Sequence, residues 1–285
     1  MMEKKFITKA FLEQYENYLY CEEKSKATIK KYMSDLRKLS DYAAGRELTK
    51  ELVIGYKEYL RENMSYHTVS INSYLVAANG FFRYMGWDEL RIKTIRVQRE
   101  VFVPEDKELT RQEYAQLVTT AKEEGKERLA MVLQTICATG MRVSELKFLT
   151  VEALRKGIMI IYNKGKERTI LLPKDLQIKL RKYIRTQGIG QGMIFRTRED
   201  EPLDRSYIWR EMKKLCARAG VAASKVYPHN LRALFARTYY HLFKDIAKLA
   251  DILGHSSIET TRIYIKSSGL EHRRQLDRMR LLVEL

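Results

Sequence analysis

The stretch HNLRALFARTYYHLFKDIAKLADILGHSSIETTRIY, residues 229–264, is the most informative part of the sequence. Its apolar side chains recur at helical spacing and predict three consecutive helices, at 229–243, 245–253 and 257–265. Gly254 suits the left-handed backbone conformation that ends a helix, and Ser257 can cap the helix that follows. The pattern therefore predicts that His255 is held at a fixed point between two helices.

His229 and Arg232 lie on the same side of the first of these helices, because they are three residues apart. The core stripe of that helix is expected to consist of Leu231, Leu234, Phe235, Thr238 and Leu242. This leaves His229 and Arg232 on a flank that faces a cleft. The alternative is a residue at a helix N-terminus with a solvated arginine beside it, since short motifs often occur by chance.

Tyr264 follows His255 by nine residues and adds a phenol to the two histidines and the arginine. Arginine presents a planar fork of donors to phosphate oxygens, histidine is a donor or a base near neutral pH, and a phenol can form a covalent phosphoester. Four such side chains can surround one phosphate, which indicates phosphoryl transfer without a metal. The alternative for Tyr264 is a packing role, because the chain has 18 tyrosines.

A second basic residue of interest is Arg142, in the segment ATGMRVSEL at 138–146. The Thr-Gly pair interrupts an apolar helix that restarts at once, so Arg142 is expected near a helix N-terminus, where backbone amides favour a phosphate. Glu145, one turn further on, can orient a neighbouring histidine or arginine. A plain capping or surface role for Glu145 is equally compatible with the sequence.

Residues 157–172 are predicted to form a β-hairpin, with strands at Gly157–Tyr162 and Arg168–Leu172. Its turn, Asn163–Lys166, contains Lys164 and Lys166. A third short strand is predicted at Met193–Phe195, and a helix at 204–219. The acidic run at 198–202 resembles a set of magnesium ligands, but Pro202 and the flanking charges favour a solvated loop, so no metal site is assigned.

The amino-terminal part, residues 8–86, is predicted to contain four helices. The second carries an apolar stripe of Ile29, Tyr32, Met33, Leu36, Leu39 and Ala43, with lysines and arginines mostly outside it. Thr49 and Ser65 are predicted N-caps of the third and fourth helices. This pattern indicates a small basic helical bundle.

The sequence predicts two domains joined by a basic linker. The apolar period fails between about 88 and 109, and Thr110 and Glu113 then match a capping box that begins a new helix. The predicted boundaries are therefore 1–88 for the helical domain, 89–109 for the linker and 110–285 for the second domain.

Composition restricts the partners and the compartment. The 285 residues include 53 Lys and Arg against 36 Asp and Glu, a net charge of +17 that favours a polyanion such as nucleic acid. No apolar run approaches the roughly 18 residues needed to span a bilayer, and no signal peptide is evident, so a cytoplasmic protein is expected. Cys21, Cys137 and Cys216 are expected to be buried thiols.

These motifs together resemble the tyrosine recombinase, or phage integrase, family in their order and spacing. They are the segment around Arg142, the hairpin with Lys164, and the motifs at His229, His255 and Tyr264. Residues 8–86 are similar to its helical core-binding domain, and the lack of an obvious arm-binding domain favours a simple two-domain, Xer-like type. The resemblance implies a mainly α protein with some β structure (α+β). It pairs a four-helix, SAM-like core-binding domain with a catalytic domain of helices and a small antiparallel sheet, the DNA breaking-rejoining enzyme fold.

Carried over to this chain, the resemblance makes Tyr264 the nucleophile. The activating residues that it implies are Arg142, Lys164, His229, Arg232 and His255. The hairpin turn is one residue shorter than the usual pattern of the family, so Lys166 is a second candidate for the catalytic lysine.

The implied function is site-specific recombination, with strands cut and rejoined through a 3′-phosphotyrosyl intermediate and no metal, ATP or other cofactor. The alternatives are relaxation like that of a type IB topoisomerase, and a DNA-binding regulator of the same fold without turnover. The implied partners are double-stranded DNA and further copies of the chain in a synaptic tetramer at the nucleoid. A tail helix with Leu276, Met279, Leu282 and Val283 on one face can dock on a neighbouring copy or complete its own domain's core.

Overall fold

The computed structural model describes residues 4–62, 66–96, 107–163, 166–265 and 277–279. The chain divides into two compact units, Met1–Arg99 and Glu100–Leu285. Most of the described residues are helical, and the sheet among them has two strands. The predicted fold class, mainly α with a small antiparallel sheet, is confirmed.

The described residues of the first unit form four α-helices, as predicted. They are α1 Lys9–Cys21, α2 Lys26–Ala43, α3 Lys50–Glu62 and α4 Thr68–Tyr84. The side chains of Thr8 and Ser25 cap α1 and α2, and the predicted Thr49 cap accepts a hydrogen bond from the Leu52 amide at 3.2 Å. The predicted Ser65 cap is wrong, because α4 begins at Thr68 and its N-cap is His67; Ser65 itself lies outside the described residues. The apolar stripe of α2 packs in a core with Phe81 and Phe82 of α4.

Residues 91–96, which the sequence assigns to the linker, are bound along α4 by two asparagines. The Asn79 side chain accepts from the Ile92 amide at 3.0 Å and donates to its carbonyl at 2.8 Å. Asn72 makes the same pair of bonds with Ile95, both at 2.8 Å. Each amide side chain therefore substitutes for a strand partner, which explains how a segment without apolar periodicity is ordered here.

The second unit begins with the predicted capping box: the Thr110 and Glu113 side chains each accept a hydrogen bond from the other residue's backbone amide. Its helices are α5 Arg111–Glu123, α6 Glu127–Thr139, α7 Val151–Lys156, α8 Lys174–Thr186, α9 Arg205–Ala219, α10 Pro228–Phe243, α11 Ile246–Leu253 and α12 Ile258–Arg262. A 3-10 turn spans Val143–Phe148. Helix α6 is buried along most of its length, and α10 packs against it.

The hairpin is formed by β1 Ile158–Asn163 and β2 Lys166–Leu171, which pair antiparallel with Ile158 opposite Leu171. The predicted third strand is wrong. Met193 makes only an isolated bridge with Thr150, because the chain turns immediately on either side of it and leaves no extended run to pair. Residues 196–202 form an exposed turn with an Arg196–Asp200 ion pair at 2.5 Å, in agreement with the predicted loop.

Two burial predictions need correction. Of the predicted stripe of α10, Leu231 and Leu234 are buried, but Leu242 is 65% exposed because α10 extends past the helices that cover its first half. Cys216 is buried and Cys137 half-buried, whereas Cys21 is exposed, since it is the last residue of α1. In the part of the chain that is described, no helix is both long and apolar enough to cross a membrane.

Candidate active site

Arg232 is the centre of the candidate site and is 1% exposed. Its Nη1 donates to the Gly140 carbonyl, and its Nη2 donates to the Leu253 carbonyl at 2.7 Å. Gly140 ends α6 and Leu253 ends α11, so both acceptors lie at helix C-termini, where the backbone carries partial negative charge. The prediction that Arg232 lies on a flank facing a cleft is therefore wrong. Its two terminal nitrogens are paired with these carbonyls, which offsets part of the cost of burying the charge, whereas Nε is buried without a partner among the described residues.

His255 contacts Arg232 directly. Gly254 has a positive φ of 63° and ends α11 as predicted, and the next residue directs its ring at the guanidinium, with Nε2 2.9 Å from Arg232 Nη2. Arginine can only donate, so Nε2 is the acceptor and Nδ1 carries the proton, which it donates to Thr261 Oγ1 at 2.8 Å. Burial lowers the pKa of His255 to about 4, with Arg232 as the largest of the neighbouring charges. The ring is therefore neutral at pH 7.

Tyr264 lies beside both predicted histidines. It follows α12, which Ser257 caps as predicted, although the helix ends at Arg262 rather than at residue 265. The Tyr264 ring is 8% exposed and stacks on His255 with centroids 5.6 Å apart and planes 9° apart. The His229 ring is 5.2 Å from it at an angle of 43°. The phenol is thus packed between the two imidazoles.

The charges of the site are electrostatically coupled. Burial lowers the pKa of Arg232, Arg142 adds to this effect, and Tyr264 opposes it. Desolvation, followed by the charge of Arg232, lowers the pKa of His229. Both histidines are therefore disposed to be neutral beside a cationic pair, and the site as a whole favours an anion.

Arg142 precedes the 3-10 turn and is held by Glu145. The Arg142 backbone amide donates to Glu145 Oε2 at 2.6 Å, and its Nη1 donates to Oε1 at 2.9 Å. The Glu145 side chain is 3% exposed, while that of Arg142 is 41% exposed. Glu145 therefore has both the capping role and the orienting role that the sequence left open, and Arg142 stays accessible to a ligand.

The structure brings together Arg142, His229, Arg232, His255 and Tyr264, and leaves the lysine unassigned. Lys164 lies outside the described residues. Lys166 begins β2, opposite Asn163, and its side chain is not among those described. Among the described residues, no cluster of histidine, cysteine or acidic side chains has the arrangement of a metal site.

Two residues of the cluster were not selected from the sequence. Arg168 on β2 donates to Glu145, and Thr261 binds His255. The signal for Arg168 is strand alternation: Glu167, Thr169 and Leu171 are exposed, whereas Arg168 shares the inward face with Ile170. A charged residue on the buried face of a strand needs a buried partner. The signal for Thr261 is weaker, since a threonine three residues before the tyrosine has many other uses.

Comparison with known proteins agrees with this geometry. Residues 107–270 match the Phage integrase family, and residues 12–89 match the Phage integrase, N-terminal SAM-like domain. The tyrosine recombinase XerA of Pyrococcus furiosus is 30% identical over 294 residues, covering 100% of this chain and 99% of that protein. Tyrosine recombinase XerA of Thermococcus kodakarensis is 31% identical over 282 residues, covering 96% of each.

Two solved structures have the same fold. A lambda integrase dimer bound to a COC′ core site superposes with a TM-score of 0.73 at 18% identity, covering 98% of both chains. The XerH site-specific recombinase bound to its difH substrate gives a TM-score of 0.67 at 19% identity, covering 95% of this chain and 84% of that one.

The chain belongs to the phage integrase family and is a Xer-like tyrosine recombinase. It is therefore an enzyme that transfers DNA strands, as predicted, and none of these comparisons favours a topoisomerase or a non-catalytic regulator.

Proposed function

We propose that this recombinase cuts DNA by transesterification, with the Tyr264 hydroxyl as the nucleophile. The phenolic oxygen attacks the phosphorus of one strand, the bond to the 5′ oxygen breaks, and the products are a 3′-phosphotyrosyl link and a free 5′-hydroxyl. The observation that carries this proposal is the packing of Tyr264 on His255, whose ring is bound at 2.9 Å to the buried Arg232. A phosphate next to that phenol would lie beside a fixed guanidinium.

Arg142, Arg232 and His255 are the proposed stabilisers of the charge that develops on the non-bridging oxygens. Arg232 is fixed by two carbonyls and Arg142 by Glu145, so neither has to reorganise when the transition state forms. His255 contributes a hydrogen bond once the phosphate displaces one of its present contacts, since Nε2 faces Arg232 and Nδ1 faces Thr261. Such preorganised donors are each worth about 10²- to 10³-fold in rate.

Two proton transfers complete the reaction. His229 is the proposed base for the phenolic proton, because its lowered pKa keeps the ring neutral and it lies against the Tyr264 ring. Lys164 is the proposed acid for the departing 5′ oxygen, with Lys166 as the second candidate. The assignment of the lysine rests on the sequence pattern of the hairpin.

The reverse step requires only another 5′-hydroxyl. Because the phosphotyrosine keeps the energy of the broken phosphodiester, a hydroxyl from a second strand can attack it and release Tyr264. No step in this scheme needs ATP or a metal ion. Strand exchange between two sites follows when the attacking hydroxyl comes from a partner duplex.

Double-stranded DNA and further copies of this chain are the proposed partners. The net charge of +17 suits a polyanion. The lambda integrase and XerH structures are bound to DNA, and one lambda integrase structure is a tetramer on a Holliday junction. We propose the same stoichiometry here, a synaptic tetramer that exchanges strands between two duplexes at the nucleoid.

The proposed contact between copies is a tail of one chain in a groove of the next. The groove has a volume of about 340 Å³ and lies between α5, α6 and α10, where Tyr114, Phe235 and Leu242 contribute to an almost wholly apolar lining. Leu242 and Phe243 are more than 60% exposed there. The apolar stripe of the tail, from Leu276 to Val283, complements this lining; apart from Met279, which is exposed, those residues lie outside the described part of the chain.

Covalent capture tests the nucleophile without knowledge of the target sequence. The protein is incubated with a pool of duplexes that carry a nick in a randomised segment, and adducts that survive detergent are recovered and sequenced. We expect the wild-type chain to form an adduct, with or without EDTA, and Tyr264→Phe to form none while retaining its affinity for DNA. An adduct formed by the Phe variant would show that the nucleophile is another residue. Absence of an adduct from the wild type would contradict the function itself.

The captured sequence then separates recombination from simple relaxation. A recombinase should act on plasmids that contain the captured sequence. Efficient relaxation of a supercoiled plasmid without it would instead favour a topoisomerase.

A further inference from the structure

Arg168 lies within the candidate site but has no role in the scheme above. Its side chain is 12% exposed, and Nη1 donates to Oε1 and Oε2 of Glu145 at 3.0 and 3.2 Å. Its Nη2 donates to the Ile252 carbonyl, near the end of α11, at 2.7 Å. One side chain therefore joins three segments: the 3-10 turn, the hairpin and α11.

Two arginines share the Glu145 carboxylate, and they differ in exposure. The Arg142 side chain is 41% exposed, whereas that of Arg168 is 12% exposed. When a phosphate engages Arg142, Glu145 keeps Arg168 as its counter-charge. The carboxylate can then stay ionised in a buried position and continue to hold the Arg142 backbone and one of its guanidinium nitrogens.

The second contact of Arg168 is with the turn that leads to His255. A Cβ added at Gly254 would overlap Cδ of Arg168 and lie 2.8 Å from its Nε, so the arginine stem lies directly against the glycine backbone. The neighbouring Leu253 carbonyl accepts from Arg232, and the next residue, His255, binds the same guanidinium. A shift of this turn would move the Leu253 carbonyl and the His255 ring together.

We propose that Arg168 is a positioning residue for strand cleavage, and this rests on the proposed function. It orients Arg142 through Glu145, and it orients His255 and Arg232 through the end of α11. It does not touch the phosphate. Because Arg168 must bond a carboxylate and a carbonyl at the same time, the planar fork of arginine is required and the single ammonium of lysine cannot replace it.

The placement of Arg168 also couples the hairpin to the guanidinium pair. Arg168 is two residues from Lys166 and four from Lys164 along the chain. The Lys166–Leu171 strand is thereby bonded to the same carboxylate that holds Arg142. The Glu145 carboxylate therefore fixes two parts of the site. One is the hairpin that carries the candidate lysines, and the other is Arg142, the arginine that receives the phosphate.

Arg237 provides a matched control in the same unit. Its side chain is 21% exposed, its Nη2 donates to the Leu109 carbonyl at 2.8 Å, and its Nε is 3.5 Å from Glu108. It therefore makes the same two kinds of contact as Arg168, to a backbone carbonyl and a glutamate, without touching Glu145 or the turn before His255. Replacing either arginine removes a hydrogen bond to a backbone carbonyl and an ion pair with a glutamate.

The test compares single-turnover cleavage of the captured duplex by Arg168→Lys, Arg168→Met and the same two variants at Arg237. We expect Arg168→Met to cleave about 100-fold and Arg168→Lys about 10-fold more slowly than the wild type, with DNA affinity nearly unchanged, because misplaced groups cost rate rather than binding. The Arg237 variants should stay close to the wild-type rate at temperatures where they are folded. Equal rate losses for the two pairs of variants, or wild-type cleavage by Arg168→Met, would overturn the proposal.

A double-mutant cycle that combines Arg168 with Glu145 tests whether Arg168 acts through the Glu145 carboxylate. If Arg168 acts partly through Glu145, the rate loss of the double variant Glu145→Gln/Arg168→Met should be smaller than the product of the two single losses. A fully multiplicative loss would contradict a shared route.

A titration without DNA keeps this inference separate from the proposed function. Arg232, Arg142, Arg168 and His229 are the groups that lower the pKa of His255, and its ring also contacts Thr261 and Tyr264. In NMR titrations, Arg168→Met should raise the pKa of His255, whereas Arg237→Met should leave it unchanged. If the pKa of His255 is unchanged in Arg168→Met, the contact of Arg168 with the turn before His255 is refuted, whatever the capture experiment gives.

Discussion

His255 depends on its neighbours for its charge state, and this gives the fold a defined response to pH. Its pKa is lowered by burial and by nearby guanidinium groups from 6.5 to about 4. The unfolded chain therefore binds a proton more readily than the folded chain does. The contribution of His255 to stability is complete above pH 6.5 and is lost as the pH falls towards 4.

We expect His255 to decrease the free energy of unfolding by about 1 to 2 kcal/mol as the pH falls from 6.5 to about 4. This figure allows for solvent screening of a partly exposed ring. The measurement is urea unfolding of the wild type and of His255→Gln, which keeps polar contacts but does not titrate. His229 contributes in the same direction in both proteins, so the difference between the two curves isolates His255. Parallel curves would show that His255 does not titrate as described.

Sequence reasoning identified the side chains of the site better than their surroundings. Helical spacing places Arg232 at an angle around α10, but burial depends on which segments cross that face, and those are the ends of α6 and α11. Arg168 was overlooked because its partner Glu145 is 23 residues away and no local pattern joins them. The choice of Tyr264 as the candidate nucleophile depends on the whole set of motifs, since a lone tyrosine carries little information.

At the scale of elements, the end of α11 can be tested by two glycines. Gly254 and Gly220 end their helices with nearly equal φ values of 63° and 64°. A Cβ at Gly220 would meet open space, whereas one at Gly254 would overlap Arg168. Alanine at either position has the same backbone strain, so any difference between the two variants reports the crowding at Arg168.

We expect Gly220→Ala to lower the free energy of unfolding by about 1 kcal/mol, and Gly254→Ala by at least about 1 kcal/mol more. Chemical denaturation gives both values. Cleavage of the captured duplex should be slowed by Gly254→Ala alone, because only that change moves the turn before His255. If the two variants lose the same stability and activity, the packing of Arg168 against the turn is not as described.

The elements themselves were largely predictable where a local signal exists. Caps at Thr110 and Ser257, the glycine at 254 and the alternation of the hairpin are all local, and each element begins or ends close to the predicted residue. The prediction of a third strand was wrong because three apolar residues after a turn are too few to distinguish a strand from an isolated bridge. The docking of residues 91–96 on α4 depends on two asparagine side chains that a periodicity argument does not consider.

For the whole molecule, the proposed docking of a tail in the groove between α5, α6 and α10 makes a prediction about assembly. Leu242 is 65% exposed in its wall, and Ile178 on α8 is 64% exposed outside it. Glutamate at Leu242 introduces a charge into an apolar contact if a tail docks there, whereas glutamate at Ile178 changes only the surface. The two substitutions alter net charge equally, so their effects on DNA binding should match.

We expect Leu242→Glu to prevent higher assemblies on the captured duplex while a single copy still binds, and Ile178→Glu to assemble as the wild type does. Removal of residues 270–285 should have the same effect as Leu242→Glu, and the two changes together should add nothing, because both delete one contact. Analytical ultracentrifugation of the protein–DNA complexes measures the stoichiometry. If the tail completes its own domain instead, removing it should lower the thermal stability of the DNA-free monomer. If assembly survives Leu242→Glu, the contact between copies lies elsewhere.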